Sequence, residues 1–243
     1  IADELVDGAA AQAHTDPAAA LDAYEQTILA APQRRLHTDP IVHAYAITAR
    51  RCGFHREYLA AFFNSMRADL TQREYSPSEL QDYIYGSAEA IGLLCLQIFL
   101  AEEDVSPADR AAMERGARAL GSAFQKINFL RDLGEDSSTL GRTYFQQAPS
   151  GRIDEATKSA LIAEIRQELA TAALTIDVLP ASARVGVSAA ADIFAELTNR
   201  LAATPATALA TTRVSVPNHT KVWLAARAVR RRGHSNQTPP LAG

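Results

Sequence analysis

The run Ala119-Leu120-Gly121-Ser122-Ala123-Phe124-Gln125-Lys126-Ile127-Asn128-Phe129-Leu130 sets Ala119, Ala123, Ile127 and Leu130 three or four residues apart. That period, near 3.6, is the repeat of an α-helix with one buried face. Outward from this run no alternating strand pattern competes, and Val and Ile are scattered. Prolines mark the starts of similar segments. Asp16-Pro17, Asp39-Pro40, Ser76-Pro77 and Ser106-Pro107 each put an N-cap residue before a proline at the first helical position. Ser76-x-x-Glu79 and Ser106-x-x-Asp109 read as capping boxes. The spacing predicts helices near 1–8, 17–31, 40–51, 54–72, 77–102, 107–136, 154–179, 182–203 and 218–232. The expected architecture is a single all-α domain over residues 1–233, followed by a polar tail, residues 234–243, expected to be disordered.

Composition narrows the function. The chain has 243 residues, 47% apolar and 21% charged, ordinary values for a globular protein. A net charge of −4 argues against a nucleic-acid binder held by a basic surface, so no nucleic-acid partner is expected. The longest apolar run, Ala90–Ala101 with Gln97 inside it, falls short of the roughly 20 residues that span a bilayer. Cys52 and Cys95 form no CxxC pair and are expected as buried thiols in a reducing compartment. No signal-peptide pattern is present, and the expected location is cytoplasmic. Ile1 opens inside a helical pattern without an initiator Met, so the chain reads as truncated at its N-terminus.

Two stretches carry acids at helical spacing, Ile1-Ala2-Asp3-Glu4-Leu5-Val6-Asp7 and Asn128-Phe129-Leu130-Arg131-Asp132-Leu133-Gly134-Glu135-Asp136. In each, two aspartates stand four apart, on one helix face at about 5–6 Å between Cβ atoms. Like charges so placed repel, and cations between them remove the conflict. Hard oxygen ligands suit Mg²⁺, which keeps several waters and is completed by substrate phosphates. Asn128 adds a neutral oxygen one turn before Asp132, and Gln125 lies on the neighbouring turn. Arg131 and Arg142 offer the forked guanidinium that binds phosphate in a bidentate manner. The same DxxxD spacing also describes a solvated acidic face, and spacing alone leaves both readings open.

The run Leu120–Asp136 closely resembles the second aspartate-rich motif of the squalene and phytoene synthase family. Gly141-Arg142-Thr143-Tyr144 resembles the family's GR-x-Y segment, and Asp3-Glu4-Leu5-Val6-Asp7-Gly8 its first aspartate-rich motif. Tyr83-Ile84-Tyr85-Gly86-Ser87-Ala88-Glu89-Ala90-Ile91-Gly92 is similar to its YxYxxAxxxG helix. The resemblance implies an isoprenoid-synthase-type helical bundle around a central cavity. It also implies a head-to-head prenyltransferase, most like a bacterial phytoene synthase, joining two geranylgeranyl diphosphates through a cyclopropyl diphosphate. Carried over residue by residue, Asp3, Asp7, Asn128, Asp132 and Asp136 would hold Mg²⁺, or Mn²⁺ in its place, with the four aspartates catalytic. Tyr83, Gln125, Arg131, Arg142 and Arg213 would contact the prenyl diphosphates.

Ser87, Ala88, Ile91, Gly92, Leu93 and Leu94 would lie on the cavity-lining helix, where Gly86 and Gly92 serve either close helix packing or room for an isoprenoid tail. Three departures from the family pattern stand out. The Tyr and Arg before the first motif are not in the sequence, Phe194 stands at a usual Tyr, and Gln146 replaces a common Pro. The alternatives are a squalene, dehydrosqualene or hydroxysqualene synthase using farnesyl diphosphate, and a catalytically inactive assembly protein of the same fold. A chain-elongating prenyltransferase would favour DDxxD, and neither acidic stretch has an Asp-Asp pair. Arg227, Arg230, Arg231 and Arg232 form a basic cluster suited to a helix C-terminus, or to peripheral contact with anionic lipid where an oily product leaves.

Overall fold

The computed structural model describes residues 1–135 and 153–235 of the chain. Its helices are α1 (Ala2–Val6), α2 (Ala9–Gln12), α3 (Pro17–Ala30), α4 (Pro40–Cys52), α5 (Arg56–Thr71), α6 (Pro77–Ile84), α7 (Ala90–Phe99), α8 (Pro107–Arg131), α9 (Leu133–Glu135), α10 (Glu155–Ile176), α11 (Ala181–Ala203), α12 (Ala206–Leu209) and α13 (Asn218–Ser235). The all-α expectation holds: the described residues contain no strand. Residues 136–152 and 236–243 lie outside the described residues, and with them Asp136, Arg142, Tyr144, Gln146 and most of the expected tail.

The caps act as their chemistry requires. The Asp16 carboxylate accepts from the Ala18 amide at 3.0 Å, and that of Asp39 from Ile41 and Val42 at 2.8 and 3.0 Å. At Ser76 the box is reciprocal: the Glu79 amide donates to Ser76 Oγ at 3.3 Å, and the Ser76 amide to Glu79 Oε2 at 2.7 Å. Ser106 departs from the expected box. Its Oγ accepts from the Asp109 amide at 3.1 Å but donates to the Asp109 carboxylate at 2.7 Å. Asp is one methylene shorter than the Glu that normally closes the box. Gly53 ends α4 at φ 64°, the left-handed conformation that glycine adopts without cost.

α8 is the central element. α10 packs along one flank of it, and α7 with the turn before it along another. One apolar cluster joins α6, α8, α10, α11 and α12 through Ile84, Ile127, Leu130, Ile165, Leu201 and Leu209. A second fixes the N-terminal helices through Ala2, Leu21, Val42, Phe63 and Leu94. Each fully buried Leu or Phe of this kind contributes about 1.5–3 kcal/mol.

Two long helices expected from the sequence are interrupted. The stretch 77–102 contains a π-turn at Tyr85–Glu89, where the Ala90 amide donates to the Tyr85 carbonyl. A Cβ on Gly86 would stand 2.1 Å from the Ala61 carbonyl oxygen of α5, so Gly86 permits direct backbone approach. Ser65 of α5 donates to the Tyr83 carbonyl at 3.0 Å, which engages the helix backbone from the side just before the turn. The stretch 107–136 breaks at Asp132, the C-cap of α8 at φ −100° and ψ 10°. The stretch 1–8 likewise divides at Asp7 and Gly8, the latter at φ 130°.

Candidate functional site

α8 carries the second acidic motif to its C-terminus. The Asp132 amide still donates to the Asn128 carbonyl at 2.9 Å, so these two residues keep the helical register. The Arg131 guanidinium forks onto the neighbouring Asp132 carboxylate, with Nε 2.9 and 3.1 Å from its two oxygens and Nη2 also in contact. From the segment after α12, Arg213 Nε lies 3.1 Å from Asp132 Oδ1. The structure thus joins Arg131, Asp132 and Arg213. Asn128 Oδ1 is buried and accepts no hydrogen bond among the described residues. Gln125 is half-buried on the next turn back.

Tyr83 reaches this end of α8 from the last turn of α6. Its ring lies 6.1 Å from Phe129 and 5.2 Å, edge to face, from Tyr75. Its hydroxyl donates to Asp69 Oδ1 at 2.9 Å. Asp69 is only 5% exposed and was missed in the sequence. The signal was an acid on the α5 face otherwise marked by Leu59, Phe63 and Met66. On α1, Asp3 and Asp7 are both exposed. The Asp7 amide donates to the Asp3 carbonyl at 2.9 Å, so the i, i+4 spacing of the first motif is realised.

Behind the acidic end an apolar cavity of about 560 Å³ runs between α7, α8, α10 and α11. Its wall on α7 and the preceding π-turn includes Ser87, Ala88, Ile91 and Gly92, as expected from the sequence, and also Cys95, Leu96 and Phe99, which were not. Leu93 and Leu94, also expected there, instead turn into the protein core at 5% and 8% exposure, since helical geometry sends adjacent residues to different faces. Gly92 also settles against α8: a Cβ there would lie 2.7 Å from the Ala117 carbonyl oxygen. Cys95 is not the buried thiol expected. It opens onto the cavity, and the surrounding protein pushes its thiol above the ordinary range by desolvation. Cys52 is half-buried. Phe194 stacks on the cavity-lining Phe124, with centroids 3.8 Å apart and rings inclined by 19°, so packing occupies the position where a hydroxyl was missed.

The family model for squalene/phytoene synthases matches residues 1–220. The chain belongs to the squalene/phytoene synthase family. Among curated relatives, the chloroplastic phytoene synthase 3 of Zea mays is 38% identical over 149 residues, 60% of this chain and 33% of that protein. The 4,4'-diapophytoene synthase of Staphylococcus haemolyticus is 33% identical over 111 residues, 45% of this chain and 36% of that protein. The chain therefore spans about a third of the length of these curated relatives. Among solved structures, a dehydrosqualene synthase superposes with a TM-score of 0.76 at 20% identity, covering 96% of this chain and 83% of that one. A squalene synthase from Alicyclobacillus acidocaldarius superposes at 0.61, again at 20% identity, covering 96% and 81%. These likenesses establish the helical fold of the family.

The family implies a divalent cation. Among the described residues no group of three His, Cys, Asp or Glu side chains gathers to hold one. The local chemistry nevertheless fits: an unpartnered buried amide oxygen at Asn128 lies one helical turn from the Asp132 carboxylate, an all-oxygen set suited to Mg²⁺.

Proposed function

We propose that this chain condenses two geranylgeranyl diphosphates head to head, through a cyclopropyl diphosphate, to give phytoene and two diphosphates. The observation that carries this reading is the apolar cavity along α8, which leads toward the helix end where Arg131 and Arg213 flank Asp132. An apolar chain and a diphosphate need those two environments in that order.

The residues divide the work. Arg131 and Arg213 bind the diphosphate and meet its growing negative charge with fixed positive charge. Gln125 and Arg142 add polar contacts, and Tyr83, its hydroxyl fixed by Asp69, contacts the substrate beside Phe129. Asp3, Asp7, Asn128, Asp132 and Asp136 would hold Mg²⁺, or Mn²⁺, which when bound supplies Lewis-acid charge neutralisation for diphosphate departure. The apolar walls exclude water, which would otherwise quench the allylic cation left behind. No hydride donor is needed for phytoene, since its formation ends with loss of a proton.

Peripheral membrane contact forms part of the proposal. No helix among the described residues is long and apolar enough to cross a membrane. α13 exposes Val222, Trp223 and Val229 beside Lys221, Arg230 and Arg231. Apolar and basic side chains so interleaved suit an anionic lipid surface of the cytoplasmic kind. The test of function is product analysis with C15 and C20 diphosphates supplied separately with Mg²⁺. Phytoene from the C20 substrate is expected. Dehydrosqualene or squalene from the C15 substrate alone would replace this reading with the farnesyl one, and no product from either would refute it.

A further inference from the structure

At one end the apolar cavity lies against an outward cleft with which it shares lining residues. Helix α7 runs antiparallel to α8, with Gly121 against Ala88 and Gly92 against Ala117. α10 is antiparallel as well, with Glu164 paired to Lys126 and Thr175 against Gly116. Moving back along α8 from Asp132 therefore leads past Phe124, Leu120 and Ala117 to Met113, about 28 Å away at 1.5 Å per residue. Met113 is the cavity-lining residue nearest the start of α8. The outward cleft, of about 370 Å³, is rimmed by Glu103, Asp104, Asp109 and Arg184.

Met113 and Leu179 border both spaces. They are 5% and 7% exposed and pack in one small cluster with Leu96 and Leu100. The wall is held in place from outside. Arg184 Nε and Nη2 donate to the Leu179 carbonyl at 3.1 and 2.9 Å, where α10 has ended and its carbonyls lack helical partners. Beside this end, Gly186 of α11 lines the cavity, and a Cβ built on it meets nothing within 4 Å.

We propose that Met113 and Leu179 are the stop that sets the longest prenyl chain the cavity accepts, and that Gly186 keeps the space beside the stop open. This rests on the proposed reading of the cavity as a prenyl site. Removing the stop joins the cavity to the outward cleft and admits a longer chain. Filling the space at Gly186 shortens the usable length.

The test is binding of unreactive prenyl thiodiphosphates of 15, 20 and 25 carbons, with Mg²⁺, to the 243-residue chain and to Met113→Ala, Leu179→Ala and Gly186→Leu. Binding is read by calorimetry, and turnover of the corresponding diphosphates is measured in parallel. Met113→Ala and Leu179→Ala are expected to raise the affinity for the C25 chain relative to C20 by on the order of tenfold, since several added carbons find apolar cover. Gly186→Leu is expected to lower C20 relative to C15 by a similar factor. It also replaces a helix-interior glycine, so it keeps the test open should a wall variant fold poorly. Length preferences unchanged in the variants that fold would overturn the stop, whatever the wild-type product. Shifted preferences in a protein that forms no head-to-head product would support the stop and overturn the proposed reaction instead. Failure of the wild type to bind any of the three would overturn both.

Discussion

Arg213 Nε stands 3.1 Å from Oδ1 of Asp132, so a residue from the segment after α12 closes onto the one aspartate of the second acidic motif that lies among the described residues. Arg131 holds the same carboxylate from the adjoining position. Asp132 therefore has two parts to play: it keeps two guanidinium groups at one helix end, and it offers oxygen ligands there.

Asp132→Asn separates these parts. It keeps size and removes the charge, and turnover is expected to fall by on the order of 10²–10⁴-fold, as when a principal electrostatic stabiliser is lost. The cost to folding is expected to be about 1 kcal/mol, because Arg213 is 60% exposed and its pairing is screened by water. Phytoene formation with Mg²⁺ and a thermal melt without it measure the two effects. Normal turnover would remove Asp132 from the proposed machinery.

Gly86 and Gly186 are both helical glycines with opposite surroundings. Gly86→Ala forces a Cβ to 2.1 Å from the Ala61 carbonyl oxygen, a backbone atom that cannot step aside. A loss of about 2–3 kcal/mol is expected despite the better helix propensity of Ala. Gly186→Ala meets open space and is expected to gain up to about 1 kcal/mol. Denaturant melts of the pair check both, and equal effects would contradict the packing described at α5.

Cys95 reports on the cavity. Desolvation raises its thiol pKa, so the reactive thiolate is scarcer at pH 8 than for a free cysteine. In a Cys52→Ser background, alkylation is expected to be slow at pH 8 and to climb about tenfold per pH unit into the alkaline range. A C20 thiodiphosphate is expected to block it. Undiminished labelling at saturating ligand would place the chain elsewhere.

Lys126, nearly buried, binds Glu164 at 2.6 Å and Glu168 at 2.5 Å, while Ser122 donates to Glu168 at 2.8 Å. Burial pushes the Glu168 carboxyl above its usual range, against the hydrogen bonds from Lys126 and Ser122. A carboxyl raised on folding binds more protons in the native state, so its contribution is present at low pH and lost as pH rises through the raised value. Lys126→Met strands that carboxylate and is expected to cost about 2–4 kcal/mol at pH 7. The gap to wild type should narrow as pH falls toward the raised value, and acid melts that keep the gap constant would show that the stranded Glu168 carboxylate is not what the variant loses.

Local chemistry made most of the fold readable. The proline-led starts at Pro17, Pro40, Pro77 and Pro107 carry their caps within three residues, and each begins a helix where the sequence put it. The interruptions were not readable. The π-turn coincides with α5 bringing the Ala61 carbonyl and Ser65 against Gly86, contacts between residues distant in sequence that periodicity does not contain. At the site, the pairing of Arg131 with Asp132 follows from adjacency, and the arrival of Arg213 came from resemblance. Asp69 behind Tyr83 belongs to a different helix and became visible when α5 and α6 were seen packed. Cys95 looked like a core residue because it sits in an apolar run, whereas its face of α7 borders an empty space.

The π-turn has a consequence for the phase of everything that follows it. One residue advances an α-helix by about 100°. Because Tyr85–Glu89 accommodates one more residue than an α-turn would, the α6 side of the junction keeps Tyr83 toward Phe129 while the α7 side aims Ile91 and Cys95 at the cavity. Deleting a single residue from this turn would leave a smoother helix whose two halves no longer agreed about which way is inward.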